Sequence, residues 1–316
     1  MKLLLRSLLA ALILLGVYHI WLRVLPGAVA VPQGINQDNV IKMQEYVYAT
    51  AGQCPTVILG SSLAAKLRPQ ALPTDVCNLA LRGQSVFEGF ELLRRAGQTP
   101  RLILLELNVL DRAPNSGTIE ELFSPALYPL RRWYPGLQAR HQPLNEALSA
   151  SLAVLGHLRP AAAAHFQEKL GVGHSASSAT PLADEANYQP LSPAVVAAAH
   201  ADYDQLPAQP GFDHNLNLLY RYVHYFTARG TRVVFFEMPT DAYACQGAKM
   251  RYMRQRLAAY RAGQLTYLPR PDCAAYRTTD GQHLTDPSAW RYSVVLAQQL
   301  QALQAPPALA RTSLAQ

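Results

Sequence analysis

Two short stretches of this chain carry residue types that can act together as a nucleophile and its base. The first is Thr56-Val57-Ile58-Leu59-Gly60-Ser61-Ser62, an apolar run closed by a glycine and two serines. The second, far downstream, is Asp280-Gly281-Gln282-His283-Leu284. A serine hydroxyl becomes a competent nucleophile when a histidine takes its proton and a carboxylate fixes the histidine tautomer. Asp280 and His283, three positions apart in a loop before a helix, can supply both partners. The serine would come from the first stretch, and the chemistry would be acyl transfer through a serine ester. A plainer reading stands beside it, because a strand-Gly-Ser-Ser-helix junction also serves as an ordinary helix N-cap.

The elements around these residues must bring them together. Four apolar or β-branched residues in a row suit a strand covered on both faces, as in a parallel sheet. Gly60 lets the chain turn sharply, and the serines can cap a short helix over 63–67. A hydroxyl there sits at the carboxyl end of a strand, where open α/β sheets place their ligands. It also sits at a helix N-terminus, which favours developing negative charge. Pro73-Thr74-Asp75 opens a second strand over 76–81, ending at the turn Arg82-Gly83-Gln84-Ser85 before an amphipathic helix over 86–96. A third strand, 101–107, is mostly leucine and isoleucine and ends in Glu106-Leu107-Asn108. A helix over 216–229, closed by Gly230, leads into a fourth strand, 231–237. Its Tyr220, Tyr222, Tyr225 and Phe226 read as core packing. Glu237 reads as a solvated carboxylate, with substrate contact as the alternative. A helix over 248–262 carries Arg251, Arg254, Arg256 and Arg261 as a solvated face, a short strand covers 265–268, and a last helix covers 287–303. This strand–turn–helix alternation predicts a doubly wound α/β sheet. Between 112 and 213 the rhythm breaks, with helical pieces near 144–158 and 193–203 and a loop over 171–186. This insertion would form a cap or a partner surface near the site. Its histidines (His141, His157, His165, His174, His200) show no metal-ligand spacing and read as surface or capping residues.

Together the two stretches resemble the SGNH (GDSL-type) hydrolase superfamily, whose first block ends in the nucleophilic serine and whose last block is Asp-x-x-His. Gly60-Ser61-Ser62 stands where many members have Gly-Asp-Ser. That variant looks like the membrane-anchored branch that includes the teichoic-acid D-alanylation and alginate O-acetylation proteins. The resemblance implies a three-layer α/β/α sandwich with a mainly parallel sheet of flavodoxin-like type, carrying a mostly helical insertion. It implies Ser62 as nucleophile, His283 as base and Asp280 as its orienting acid. The oxyanion would be held by the N–H groups of Ser62 and Gly83 and by the Asn108 amide. Gly83 can equally be a turn glycine, and Asn108 a strand terminator. The third block departs from the family pattern Gly-x-Asn-Asp: only Asn108 matches. The implied activity is O-acyl transfer to a cell-envelope polysaccharide, or hydrolysis of the ester, without metal or organic cofactor. Its partners would be an acylated donor, a polysaccharide acceptor and a membrane-bound O-acyltransferase. A catalytically silent glycan-binding protein and an assembly protein acting through its insertion are the alternatives.

The first thirty residues read as a targeting segment. Lys2 and Arg6 precede an apolar run from Leu8 to Leu22, and Arg23 follows. The flanking charges predict the N-terminus inside and the body outside the cytoplasm, on the periplasmic side of a bacterial inner membrane if the resemblance holds. An uncleaved anchor fits the length of the run; a cleaved signal peptide fits Ala28-Val29-Ala30. A stem would cover 31–53, with a helix over 39–51, the α/β domain 54–303, and a disordered tail 304–316. The four cysteines, Cys54, Cys77, Cys245 and Cys273, suit disulfides in an exported chain; Cys54 with Cys77 and Cys245 with Cys273 are plausible pairs. The 316 residues carry a formal charge of +7. That balance favours anionic partners such as phospholipid headgroups or acidic glycans, while export and the scattered arginines argue against nucleic acid.

Overall fold

The computed structural model describes residues 2–24, 34–142, 192–259 and 265–304. The expected helix over 144–158, the loop over 171–186, His157, His165, His174, the Ala28-Val29-Ala30 motif and the tail beyond 304 lie outside the described residues.

Five strands form one parallel sheet: β1 Thr56–Leu59, β2 Val76–Asn78, β3 Leu102–Glu106, β4 Arg232–Phe236 and β5 Thr266–Tyr267. Their order is β2-β1-β3-β4-β5. Every residue of β1 and β3 is buried, which is why both read as unbroken apolar runs rather than as an alternating pattern. Ile58, Leu104, Val234 and Phe236 share a core with Tyr292, Leu296 and Leu300 of the helix Asp286–Gln304. On the opposite face the helix Phe87–Arg95 comes so close that a Cβ on Gly89 would meet Leu59 Cδ2 at 2.8 Å. Phe90 of that helix stacks on Tyr222 and Phe226 of the helix Gln209–Thr227. The chain is therefore an α/β protein with helices on both faces of the sheet.

Local chemistry explains where elements depart from expectation. The helix expected over 63–67 is a single 3₁₀ turn, Ala64–Lys66. Pro69 forces Arg68 into an extended conformation, so the helix has no room to continue. β2 leaves the regular ladder after Asn78, yet the N–H groups of Leu79 and Leu81 still donate to the Ile58 and Gly60 carbonyls at 2.9 and 2.8 Å. The helix expected over 39–51 is an α-helix, Ile35–Glu45, that widens into the π-helical turn Tyr46–Thr50.

The chain divides into two compact units. One comprises Met1–Ala51, Glu91–Gln98 and Asn115–Ala179, the other Gly52–Phe90, Thr99–Pro114 and Thr180–Gln316. The second holds the sheet. The first holds the N-terminal helix Lys2–Val24, which is long and apolar enough to cross a membrane.

Cys54 is joined to Cys77 and Cys245 to Cys273. Two disulfides point to an oxidising compartment. The first closes a loop of 23 residues across the β1–β2 edge. On the chain-entropy model, replacing Cys54 and Cys77 by alanine should cost about 3 kcal/mol. Chemical denaturation of the variant beside the parent protein measures this, and an unchanged midpoint would contradict it.

Glu237 corrects a sequence expectation. It is buried, and Arg254 holds it through two bonds, Nε–Oε1 at 2.9 Å and Nη2–Oε2 at 2.6 Å. Arg254 thus turns inward from a helix, Ala248–Ala259, whose arginines were expected to face solvent. A carboxylate closing a buried strand needs such a partner.

Candidate functional site

In the strand order the direction of winding reverses between β1 and β3, and the carboxyl ends of those two strands form the crevice where such sheets take ligands. Ser61 and Ser62 follow β1, while Glu106 closes β3. The two serines have different surroundings. Ser61 is buried, and its hydroxyl lies 3.0 Å from Glu106 Oε1. Ser62 is half-buried, and its Oγ lies 2.8 Å from His283 Nε2.

The other half of the site is a tight turn. Thr278 bridges Leu284 in antiparallel fashion, and the Thr279 N–H donates to the His283 carbonyl at 2.8 Å. Gly281 takes the left-handed conformation the reversal needs, at φ +85°. Inside this hairpin Asp280 Oδ1 accepts the N–H groups of Gln282 and His283 at 3.0 and 2.7 Å. Asp280 Oδ2 lies 2.7 Å from His283 Nδ1. An ionised carboxylate only accepts, so Nδ1 carries the proton and Nε2 presents its lone pair to the Ser62 hydroxyl. Burial on its own would raise the Asp280 carboxyl. The backbone N–H and ring of His283, with the Gln282 N–H, outweigh it and hold the carboxyl below its ordinary value.

Two further contacts seat the hairpin. The Asp241 N–H donates to the Gly281 carbonyl at 3.2 Å. Gly281 also faces the helix Pro193–Asp204, where an added Cβ would come within 3.3 Å of Ala199 Cβ. From the same helix His200 pairs with the Asp241 carboxylate and stacks on Tyr243. Asp241 in turn caps the short helix Ala242–Cys245 through the Ala244 N–H.

The Leu81–Gly60 bond brings the Arg82-Gly83-Gln84 turn alongside the serines. Gly83 is exposed, with φ +74°. Among the described residues neither the Ser62 nor the Gly83 N–H is given to a protein acceptor. Asn108 is placed differently. Its Nδ2 donates to the Met238 carbonyl at 2.9 Å and its Oδ1 accepts the Met238 N–H at 2.8 Å. The buried amide thus ties the end of β3 to the end of β4, with one hydrogen of Nδ2 left over.

Glu106 was not singled out from the sequence. It is fully buried, and its Oε2 accepts the N–H groups of Ser61 and Ala64 at 2.7 and 3.3 Å. The turn is built around it: a Cβ on Gly60 would overlap Glu106 Oε2 and would meet Ala64 Cβ at 2.7 Å, a crowding that favours glycine. Burial pushes the Glu106 carboxyl up, against the lowering effect of the Ser61 and Ala64 hydrogen bonds and of Arg112. The signal in the sequence is the glutamate itself, because an acid at the end of the all-apolar run Leu102-Ile103-Leu104-Leu105 must find donors nearby.

Chemically, the arrangement offers a half-exposed hydroxyl in contact with an oriented imidazole, beside two uncommitted backbone donors. Such a site can pass a proton from an attacking hydroxyl and hold a developing negative charge. Among the described residues no group of three or more His, Cys, Asp or Glu side chains could hold a metal ion. Comparison of the chain with protein-family models, with curated proteins and with solved structures returned no match.

Proposed function

We propose that this chain is a serine acyl-transfer enzyme of the SGNH type, anchored by its N-terminal helix with the α/β body on the extracytoplasmic side. The observation that carries the reading is the Ser62–His283–Asp280 relay, with contacts of 2.8 and 2.7 Å. Ser62 Oγ attacks an ester carbonyl as its proton moves to His283 Nε2, and Asp280 stabilises the imidazolium. The Ser62 and Gly83 N–H groups take the oxyanion, each such donor being worth about 3 kcal/mol. The remaining Asn108 hydrogen is a third donor only if the Met238 clamp leaves it facing the crevice. Collapse breaks the ester bond, and His283 returns the proton to the departing alkoxide, leaving acyl-Ser62. Water or a sugar hydroxyl then attacks with His283 as base, which makes the enzyme an esterase or a transferase.

The resemblance to envelope-modifying members favours a polysaccharide hydroxyl as acceptor and a membrane-bound O-acyltransferase as partner. Retention of the helix is favoured by its contacts: Tyr134 Oη donates to the Leu15 carbonyl and Tyr18 Oη to the His141 carbonyl. Cleavage after Ala30 would discard both.

A fluorophosphonate probe tests the proposal. The disulfide-intact protein should label, and Ser62→Ala should abolish labelling without unfolding. No labelling of the folded parent protein would overturn independent catalysis and favour a glycan-binding or assembly role for the same fold.

A further inference from the structure

The unit that holds the N-terminal helix carries a second apolar feature beside it. In the helix Leu127–Trp133 and the turns that follow, Leu127, Leu130, Trp133 and Leu137 are all exposed, Trp133 at 84% and Leu130 at 51%. Pro125, Ala126 and Pro129, between or next to them, are exposed too. Leu127, Leu130 and Trp133 fall three residues apart, on one side of their helix. An apolar surface of this kind marks an interaction site.

Its position relative to the N-terminal helix says what covers it. Tyr134 Oη donates to the Leu15 carbonyl at 2.8 Å, the Tyr134 ring stacks on His19 with centroids 5.3 Å apart, and Tyr18 Oη reaches the His141 carbonyl at 2.6 Å. About 20 Å of helix separates Lys2 from Leu15 at 1.5 Å per residue, against a hydrocarbon core about 30 Å thick. With Lys2 at the inner headgroups, the Leu15 carbonyl lies about 10 Å short of the outer ones, the depth at which interfacial helices sit. Tyr134 must reach that depth, and its hydroxyl arrives already bonded, so it brings no bare polar group into the acyl chains. Trp133 and Tyr134 suit the interface, and the exposed Arg132 suits anionic headgroups.

We infer that the segment 127–137 is embedded in the outer leaflet of the membrane beside the anchor helix, with Leu127, Leu130, Trp133 and Leu137 in contact with lipid acyl chains. The inference rests on the retained-anchor reading, and the test separates the two. The full-length chain is reconstituted in vesicles of phosphatidylcholine and phosphatidylglycerol as two variants: Trp21→Phe with Trp290→Phe leaves Trp133 alone, and Trp133→Phe with Trp290→Phe leaves Trp21 alone. Lipids brominated near the headgroup end of the acyl chain should quench most of the Trp133 emission, and acrylamide in the water should barely reach it. Leu130→Glu should restore acrylamide access in the Trp133-only chain and leave the quenching of Trp21 by brominated lipid unchanged in the Trp21-only chain. Quenching of Trp21 with Trp133 still open to acrylamide would overturn the inference and leave the anchor in place. A Trp133 shielded from acrylamide but untouched by brominated lipid would also overturn it, in favour of a protein occupant such as a second copy. Failure to quench either tryptophan would take the anchor reading down as well.

Discussion

Replacing His283 with alanine should lower kcat on an activated ester by about 10⁴- to 10⁶-fold, with KM nearly unchanged, because in the proposed mechanism the residue acts on the proton and not on substrate binding. Asp280→Asn should cost about 10⁴-fold by presenting the imidazole in the wrong tautomer. Steady-state kinetics on the two variants and on their combination measure this. The double variant should be little worse than His283→Ala alone, since the two residues act as one unit. Additive losses would mean that Asp280 works independently of His283. The Asp280 carboxyl, held below its ordinary value, also sets an acid limit. A depressed folded pKa contributes stability that is present above the unfolded value and lost as pH falls through the folded one. Thermal melts of the parent and Asp280→Asn should therefore differ at neutral pH and converge only below the ordinary carboxylate range.

Glu106 should be the most sensitive position outside that relay. Glu106→Leu leaves the buried N–H groups of Ser61 and Ala64 without an acceptor, at about 1–3 kcal/mol each. It should also lower kcat by about a hundredfold, because the turn that carries Ser62 loses its template and shifts of about 1 Å have that effect. Glu106→Gln keeps one oxygen for the two N–H groups while Ser61 Oγ can reverse its bond. It should recover most of the activity, and that rescue distinguishes positioning of the turn from a role for the charge. Here the pH effect has the opposite sign to that of Asp280. Burial raises the Glu106 carboxyl above its ordinary 4.5. The folded state then holds the proton more tightly, and stability falls as pH rises from the ordinary value through the raised one. The parent should lose stability relative to Glu106→Gln across that window; melts that stay parallel would show that Glu106 does not titrate there.

The parts of this molecule that were legible in the sequence share a physical property: their determinants are contiguous. β1, β3 and β4 are apolar runs because both sheet faces are covered, and their type follows from that alone. Asp280 and His283 are bonded inside one hairpin, so their spacing records their geometry. Both cysteine pairs close short loops within the α/β unit. What escaped depends on partners distant along the chain. Glu106 gives no sign of its role until the Ser61 and Ala64 N–H groups, more than forty positions away, are seen converging on it. Glu237 looks solvated until Arg254 arrives from the helix Ala248–Ala259. Asn108 has the right residue type at the end of β3, but most of its hydrogen-bonding capacity goes to Met238, 130 positions downstream.

The hairpin that carries Asp280 and His283 has a mechanical consequence. Asp280 and His283, the proposed acid and base, are fixed to each other by two bonds, and a third ties Asp280 to Gln282 within the same four residues, so they form one local unit. Alignment of the whole relay then reduces to a single coordinate, the gap between that unit and Ser62. In the proposed mechanism whatever sets the gap sets the rate, and the Asp241–Gly281 bond and the Ala199 contact hold the hairpin from behind. A substitution at either place would leave every reacting group chemically intact and detune the site by distance alone.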